Sequence, residues 1–205
     1  MGELIFEKFE KIGRLKRTCT ITEKIDGTNA QICFNKYGGL LVGSRKREIW
    51  PEGTLGKPKG CDNAGFAKWV YENYEALFGF LGEGRHFGEW CGGNIQRGYG
   101  LKEKKFALFN TARFGIGKQE IPGALTFAGL TVVPIIYEGE FTTDVVDCAM
   151  EDLLVQGSFF AKGFMNPEGV VVYHHAIRKM FKVTYEHDGT GKGKNRQTDK
   201  IEEEK

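Results

Sequence analysis

The 205-residue sequence contains no apolar run long enough to span a bilayer. Its first residues, MGELIFEKFEKIGRLK, lack a signal peptide's order of basic region, apolar stretch and small-residue site. Both absences predict an intracellular protein, cytoplasmic or in a host's cytoplasm if viral. Paired cysteines are missing too: Cys19, Cys33, Cys61, Cys91 and Cys148 are odd in number and scattered. With no C-x-x-C spacing for zinc or thiol redox chemistry, they read as free thiols. Neither charge dominates, since 29 Lys and Arg stand against 27 Asp and Glu for a net +2. Overall charge therefore does not announce a nucleic-acid protein, and the local clusters GRLKR, SRKR and GKGKNR must carry any such case. No internal repeat is present. RFGIGKQE is not a phosphate-binding P-loop, because Ala112 stands where the first glycine belongs and Gln119 replaces Ser or Thr. His174-His175 has no third ligand at a recognisable spacing, so the pair reads as exposed strand-end residues.

What remains is the composition of a globular domain, 40% hydrophobic and 27% charged. Short apolar stretches of period two, bounded by Gly, Asn or Asp, recur along the chain: CTITEKI, AQICF, LLVGS, HFGEW, KFALFN, TVVPII, GVVVYH and MFKVTYE. Strands therefore dominate. Two segments have helical spacing instead. After Asp62-Asn63 as N-caps, Phe66, Trp69, Val70, Tyr74, Leu77 and Phe78 share one face, with Gly79 as a stop. From Thr143 to Gly157, Val145, Val146, Ala149, Leu153 and Leu154 repeat at three-to-four spacing. After Tyr185 the composition shifts to EHDGTGKGKNRQTDKIEEEK, rich in glycine and charge. The expected organisation is one folded domain over residues 1–186 and a polar, flexible tail over 187–205.

One lysine stands out. In TEKIDGTNAQICF, Lys24 interrupts an apolar strand two residues before Asp26 and Gly27. In extended backbone Lys24 and Asp26 share the face opposite Glu23 and Ile25, so Lys24 can look into a cleft. Gly27 then lets the backbone turn. A lysine held away from water or near other cations can lose its proton and act as a nucleophile. The residues alone also allow a strand-end salt bridge with Asp26.

The stretch EKIDGTNA resembles the first signature of the covalent nucleotidyltransferases, the superfamily of ATP-dependent polynucleotide ligases and mRNA capping enzymes. In that signature, K-x-[DH]-G, the lysine attacks the α-phosphate of a nucleotide. Further stretches follow in the family's order. GSRKR at Gly43 to Arg47 resembles its arginine-bearing strand, FGEW at Phe87 to Trp90 its acidic third motif, and FALFN at Phe106 to Asn110 the strand with an adenine-stacking aromatic. EGVVVY at Glu168 to Tyr173 and MFKV at Met180 to Val183 resemble its fourth and fifth motifs. Asn29 and the run FGEWCGGNIQRGYG are similar to RNA ligases of the phage T4 RNA ligase 2 and RNA-editing type. That branch often has His where this chain has Asp26.

The resemblance implies an α+β fold, a nucleotidyltransferase domain of twisted, largely antiparallel sheets with flanking helices around an ATP cleft. It implies an ATP-dependent RNA ligase, an RNA-repair activity that uses Mg²⁺ or Mn²⁺ to join RNA 5′-phosphate and 3′-hydroxyl ends. Lys24 is then the nucleophile, Glu168 the metal carboxylate, and Lys182 the α-phosphate ligand. Glu23 is expected at the adenine amine, Glu89 at a ribose hydroxyl, Phe109 stacked on adenine and Arg45 at a phosphate. Asn29, Arg45, Arg47 and Arg97 are expected at the nucleic acid. The residues by themselves also permit Glu168 as a turn cap, Glu89 as a core-edge salt bridge and Phe109 as core packing. Ligases commonly carry a second lysine two residues beyond the Lys182 position, where this chain has Thr184; Lys179 would point to the opposite strand face. With a tail too short for the OB or helical domain of the larger enzymes, a minimal ligase is expected. An ATP-dependent DNA ligase, a capping guanylyltransferase and a non-catalytic RNA-end-binding module remain as rivals.

Overall fold

The computed structural model describes residues 6–9, 11–12 and 17–186; the expected polar tail at 187–205 lies outside them. In chain order its elements are β1 (Thr18–Glu23), β2 (Thr28–Phe34), β3 (Leu40–Ser44), α1 (Phe66–Glu72), α2 (Tyr74–Leu81), β4 (Gly84–Gly92), β5 (Lys104–Leu108), α3 (Gly123–Phe127), β6 (Leu130–Val132), β7 (Ile135–Glu140), α4 (Thr143–Gln156), β8 (Gly169–His174) and β9 (Lys179–Thr184). The class is α+β. One sheet has the order β7-β1-β8-β9, the other β3-β2-β4-β5-β6, and among the described residues only the β5–β6 strand pair is parallel.

Period-two alternation sorts each strand into a core side and a cleft side. Ala30, Ile32 and Phe34 of β2, Trp90 of β4 and Phe106 and Leu108 of β5 join Val70 and Leu77 of the helices in one core. In the four-stranded sheet, Cys19 and Ile21 of β1 and Val170 and Val172 of β8 pack on Val146, Ala149 and Leu153 of α4. The helices thus cover the outer faces. A third cluster, including Ile25, Tyr99, Ala107 and Val133, fills the seam between the sheets.

The chain passes between the sheets at two neighbouring places. β1 ends at Glu23 in one sheet and β2 begins at Thr28 in the other, so Lys24 to Gly27 form a crossing rather than one strand. TVVPII likewise is not one strand: Pro134, which has no amide N–H to offer a ladder, separates β6 from β7 in different sheets. The two crossings are stitched together by the Glu23 amide donating to the Pro134 carbonyl at 3.0 Å.

The first expected helix is also two. Asn73, at φ −112°, ends α1 and begins α2, and its side-chain amide donates to the Trp69 carbonyl at 2.8 Å. Gly79 lies inside α2, which stops at Gly82 with φ 66°. Asp62 still caps the start, accepting from the amides of Ala67 at 2.8 Å and Lys68 at 3.1 Å, although Gly65 occupies the cap position. The second expected helix is α4, capped by the Thr142 hydroxyl accepting from the Val145 amide at 3.2 Å and closed by Gly157 at φ 78°. Leu154 faces outward from it rather than into the core. Among the described residues no helix is long and apolar enough to cross a membrane.

Candidate active site at the seam of the two sheets

Between the inner faces of the sheets lies a cavity of about 770 Å³ whose lining includes Glu23, Lys24, Ile25, Asn29, Glu89 and Phe109. Lys24 directly follows β1, its amide donating to the Gly169 carbonyl at 2.8 Å. Its Nζ meets Glu168 Oε2 at 2.5 Å, both side chains being largely sheltered. The partner comes from the residue just before β8, so pairing of β1 with β8 brings together groups separated by 144 residues.

Gly27 is needed here for close approach, since its φ is not left-handed. A Cβ on it would fall 2.5 Å from the Trp90 carbonyl oxygen and 2.9 Å from Cys91 Cβ. That approach also sets Gly27 beside the Glu89 side chain, whose Cγ would lie 3.0 Å from such a Cβ. Asn29 stands directly across from Glu89 on β4, and Glu89 across from Ala107 on β5. All three therefore share the cleft face, with a small side chain at Ala107 leaving space. Burial pushes the Glu89 carboxyl up to about 7; Lys24 opposes this, Glu168 adds to it, the Gly27 amide opposes it, and Asp26 adds to it.

Glu23 is 1% exposed. Its two oxygens are engaged by the Ser158 hydroxyl at 2.6 Å and the Phe160 amide at 2.8 Å. Burial raises its pKa, against the lowering effect of those donors. Phe109, just beyond β5, packs half-buried on the seam cluster and lines the cavity. By register Lys182 lies opposite Val171, a cavity-lining residue, and is exposed. Thr184 is on that same strand face, but its hydroxyl donates to the Glu186 carbonyl at 2.6 Å. Lys179 pairs with His174 and belongs to the other face.

The expected nucleic-acid residues are not all brought together. Arg45 and Arg47 are exposed beyond β3 and do not line the cavity, and Arg47 donates to the Gly60 carbonyl at 2.9 Å. Arg97 is turned inward: its guanidinium meets Asp26 at 3.1 Å, Asn166 Oδ1 at 2.8 Å and Glu186 at 3.1 Å. The strand-end salt bridge considered for Lys24 and Asp26 is thus divided, Lys24 pairing with Glu168 and Asp26 with Arg97.

Three parts of the site were not legible in the motifs. Ser158 grips Glu23 from 135 residues away, with no local signal beyond its place after a helix-closing glycine. Arg85 and Lys118 line the cavity as further cations. His175, expected as an exposed strand end, lines it too, with its ring nitrogens 2.9 Å and 3.0 Å from the hydroxyls of Thr18 and Thr20.

A lysine amine paired with a carboxylate and lining a cleft, with a second carboxylate and an aromatic ring also in its lining, defines a candidate site of the group-transfer class. The RNA ligase family model matches residues 17–184, and the chain belongs to the RNA ligase family. Among solved structures, a Naegleria gruberi RNA ligase variant without ligand is 22% identical, with a TM-score of 0.54, over 82% of this chain and 49% of that one. Another variant of that ligase, with ATP and Mn, is 20% identical with a TM-score of 0.54, over 82% and 50%. A third, with AMP and Mn, is 20% identical with a TM-score of 0.51, over 82% and 49%. The present chain therefore spans about half the length of these ligases, and the likeness is one of fold. No curated protein matches the chain.

Proposed function

We propose that this chain is the nucleotidyltransferase unit of an ATP-dependent RNA ligase, with Lys24 as its nucleophile. The observation that carries the reading is that Lys24, which lines the cavity, has its Nζ held 2.5 Å from Glu168. In the first step the Lys24 amine attacks the α-phosphorus of ATP. A nitrogen–phosphorus bond forms, the bond to pyrophosphate breaks, and the amine gives up a proton. The pair with Glu168 must therefore open or accept that proton before attack. A 5′-phosphate oxygen of RNA next takes the adenylyl group from Lys24, and a 3′-hydroxyl then displaces AMP to seal the strand.

The remaining residues bind and orient. Phe109 offers its ring to adenine. Glu89 accepts a ribose hydroxyl, while Glu23, held by Ser158 and Phe160, fixes the floor beside the base. Lys182 approaches the α-phosphate from β9. Arg45, Arg47 and Asn29 are the nucleic-acid contacts, with Arg45 also serving a phosphate.

The donor set fits a hard divalent cation. Among the described residues no group of three or more His, Cys, Asp or Glu could cage a metal. Mg²⁺ or Mn²⁺ is suited to one or two carboxylates, here Glu168 with Glu89 nearby, completed by phosphate oxygens. When bound, it would neutralise charge on the phosphate.

The test incubates the protein with α-labelled ATP or GTP and Mg²⁺ or Mn²⁺ and resolves it denatured, beside folded Lys24→Ala. Label from ATP that the variant loses is the expected result. Label from GTP instead would favour a capping enzyme. No label from folded protein free of preloaded AMP would overturn the mechanism in favour of an RNA-end-binding module.

A further inference from the structure

The nucleophile crossing has a second support behind it, in the loop 92–101. Tyr99 is 2% exposed, and its hydroxyl accepts from the Asp26 amide at 2.9 Å and approaches the Lys24 carbonyl at 3.4 Å. Its ring is wedged against Phe160 and Phe164, at centroid distances of 5.7 Å and 4.7 Å. To get there Tyr99 takes a left-handed backbone, φ 54° and ψ 20°. That conformation is costly for a bulky aromatic and persists only where its surroundings over-determine it. Two residues earlier, Arg97 is only 14% exposed at its side chain. Its Nε donates to Asp26 at 3.1 Å, while one terminal nitrogen donates to the Asn166 carbonyl at 3.2 Å and Oδ1 at 2.8 Å. The other terminal nitrogen donates to Glu186 at 3.1 Å.

We propose that loop 92–101 is a clamp that positions the nucleophile. Tyr99 sets the backbone of Lys24 to Asp26, and Arg97 locks Asp26 to the segment two residues before Glu168, so that the amine and its carboxylate partner keep one alignment. Tyr99 and Arg97 are positioning residues, acting through Asp26 and the Lys24 backbone. The surface charge expected of Arg97 is spent on this internal joint. The inference rests on the reading of Lys24 as nucleophile, but its structural half can be measured without catalysis.

The experiment uses the full chain, unaltered and as Tyr99→Phe, Arg97→Gln, Arg97→Lys, Asp26→Asn and the double variant Arg97→Gln/Asp26→Asn. Amide exchange at Asp26 is followed by NMR on the nucleotide-free protein, and the single-turnover rate of adduct formation is measured across ATP concentrations. Tyr99→Phe keeps the ring and removes the acceptor, so Asp26 should exchange at least about tenfold faster while Ile32 in β2 stays protected. The rate at saturating ATP should fall on the order of 10- to 100-fold, with the half-saturating ATP concentration within about twofold. Arg97→Gln and Asp26→Asn should each slow the step, the double variant should be no slower than the worse single one, and Arg97→Lys should recover part of the rate. Unchanged exchange and rate in Tyr99→Phe, multiplying effects in the double variant, or a loss that follows melting temperature and ATP affinity would each overturn the clamp. If the unaltered protein forms no adduct, the nucleophile reading falls and the catalytic half of the inference with it. Exchange at Asp26 then still decides whether Tyr99 holds the crossing.

Discussion

Glu89 and Lys24 sit in the same cleft under opposite demands. Lys24 has a carboxylate against it, whereas burial above all, with the negative charges of Glu168 and Asp26 adding to it and Lys24 opposing it, pushes the Glu89 carboxyl up to about 7 from 4.5. The sign of the consequence follows from proton binding. Below 4.5 the group is protonated whether the chain is folded or not. Between the two values the folded chain keeps a proton that the unfolded chain loses, so the favourable contribution is lost as pH rises through 7. Glu89→Gln, which cannot ionise, should therefore be more stable than the unaltered protein at pH 8, by roughly 2 kcal/mol after allowing for partial solvent screening. The difference should close near pH 4, with denaturant unfolding at both pH values as the measurement. At this scale Lys24, Glu89, Glu168 and Phe109 were legible as candidates because family signatures surround them. The occupation of Glu23 by Ser158 and of Arg97 by Asp26 was not, because those partners are 135 and 71 residues away.

The crossing from β1 to β2 sets the geometry of the site, and its tightest point is Gly27 against β4. A methyl group there meets the Trp90 carbonyl oxygen and Cys91 Cβ, neither of which is the end of a flexible side chain. Gly27→Ala should cost about 1–3 kcal/mol in denaturant unfolding and slow adduct formation as β4, and Glu89 with it, is displaced. A fall in stability with the rate unchanged would show that the approach serves packing alone. Element boundaries were legible where local chemistry marks them, as with Thr142 and Gly157 around α4. They were not legible at Asn73, where a polar residue and a short-range amide bond divide a continuous apolar face. TVVPII misleads for a related reason: alternation identifies extended chain but carries no label for the sheet that receives it, and Pro134 is where the receiving sheet changes.

At the scale of the whole molecule, helices cover the outer faces of two sheets and leave the inner ones to the cavity, while exposed cations such as Arg45, Lys46 and Arg47 lie outside it. This separation predicts different salt responses for the two halves of the proposed reaction. Binding of 5′-phosphorylated RNA through about three phosphate contacts should weaken roughly 20- to 40-fold between 50 and 200 mM salt. Adduct formation inside the cleft should change far less, since sheltered charges are less screened. Parallel filter-binding and labelling series would check this, and an equal decline in both would contradict it. The sequence by itself determined the dominance of strands, the two main helical stretches, the lysine worth asking about, and the family, because alternation, caps and ordered short motifs are local properties of a chain. Only the tertiary structure decided that Lys24 stands at a seam between sheets, that Glu168 is its partner and that Arg97 faces inward. Those facts depend on which strands pair and where the chain changes sheets, and pairing is settled by burial and backbone hydrogen bonds between segments far apart in sequence.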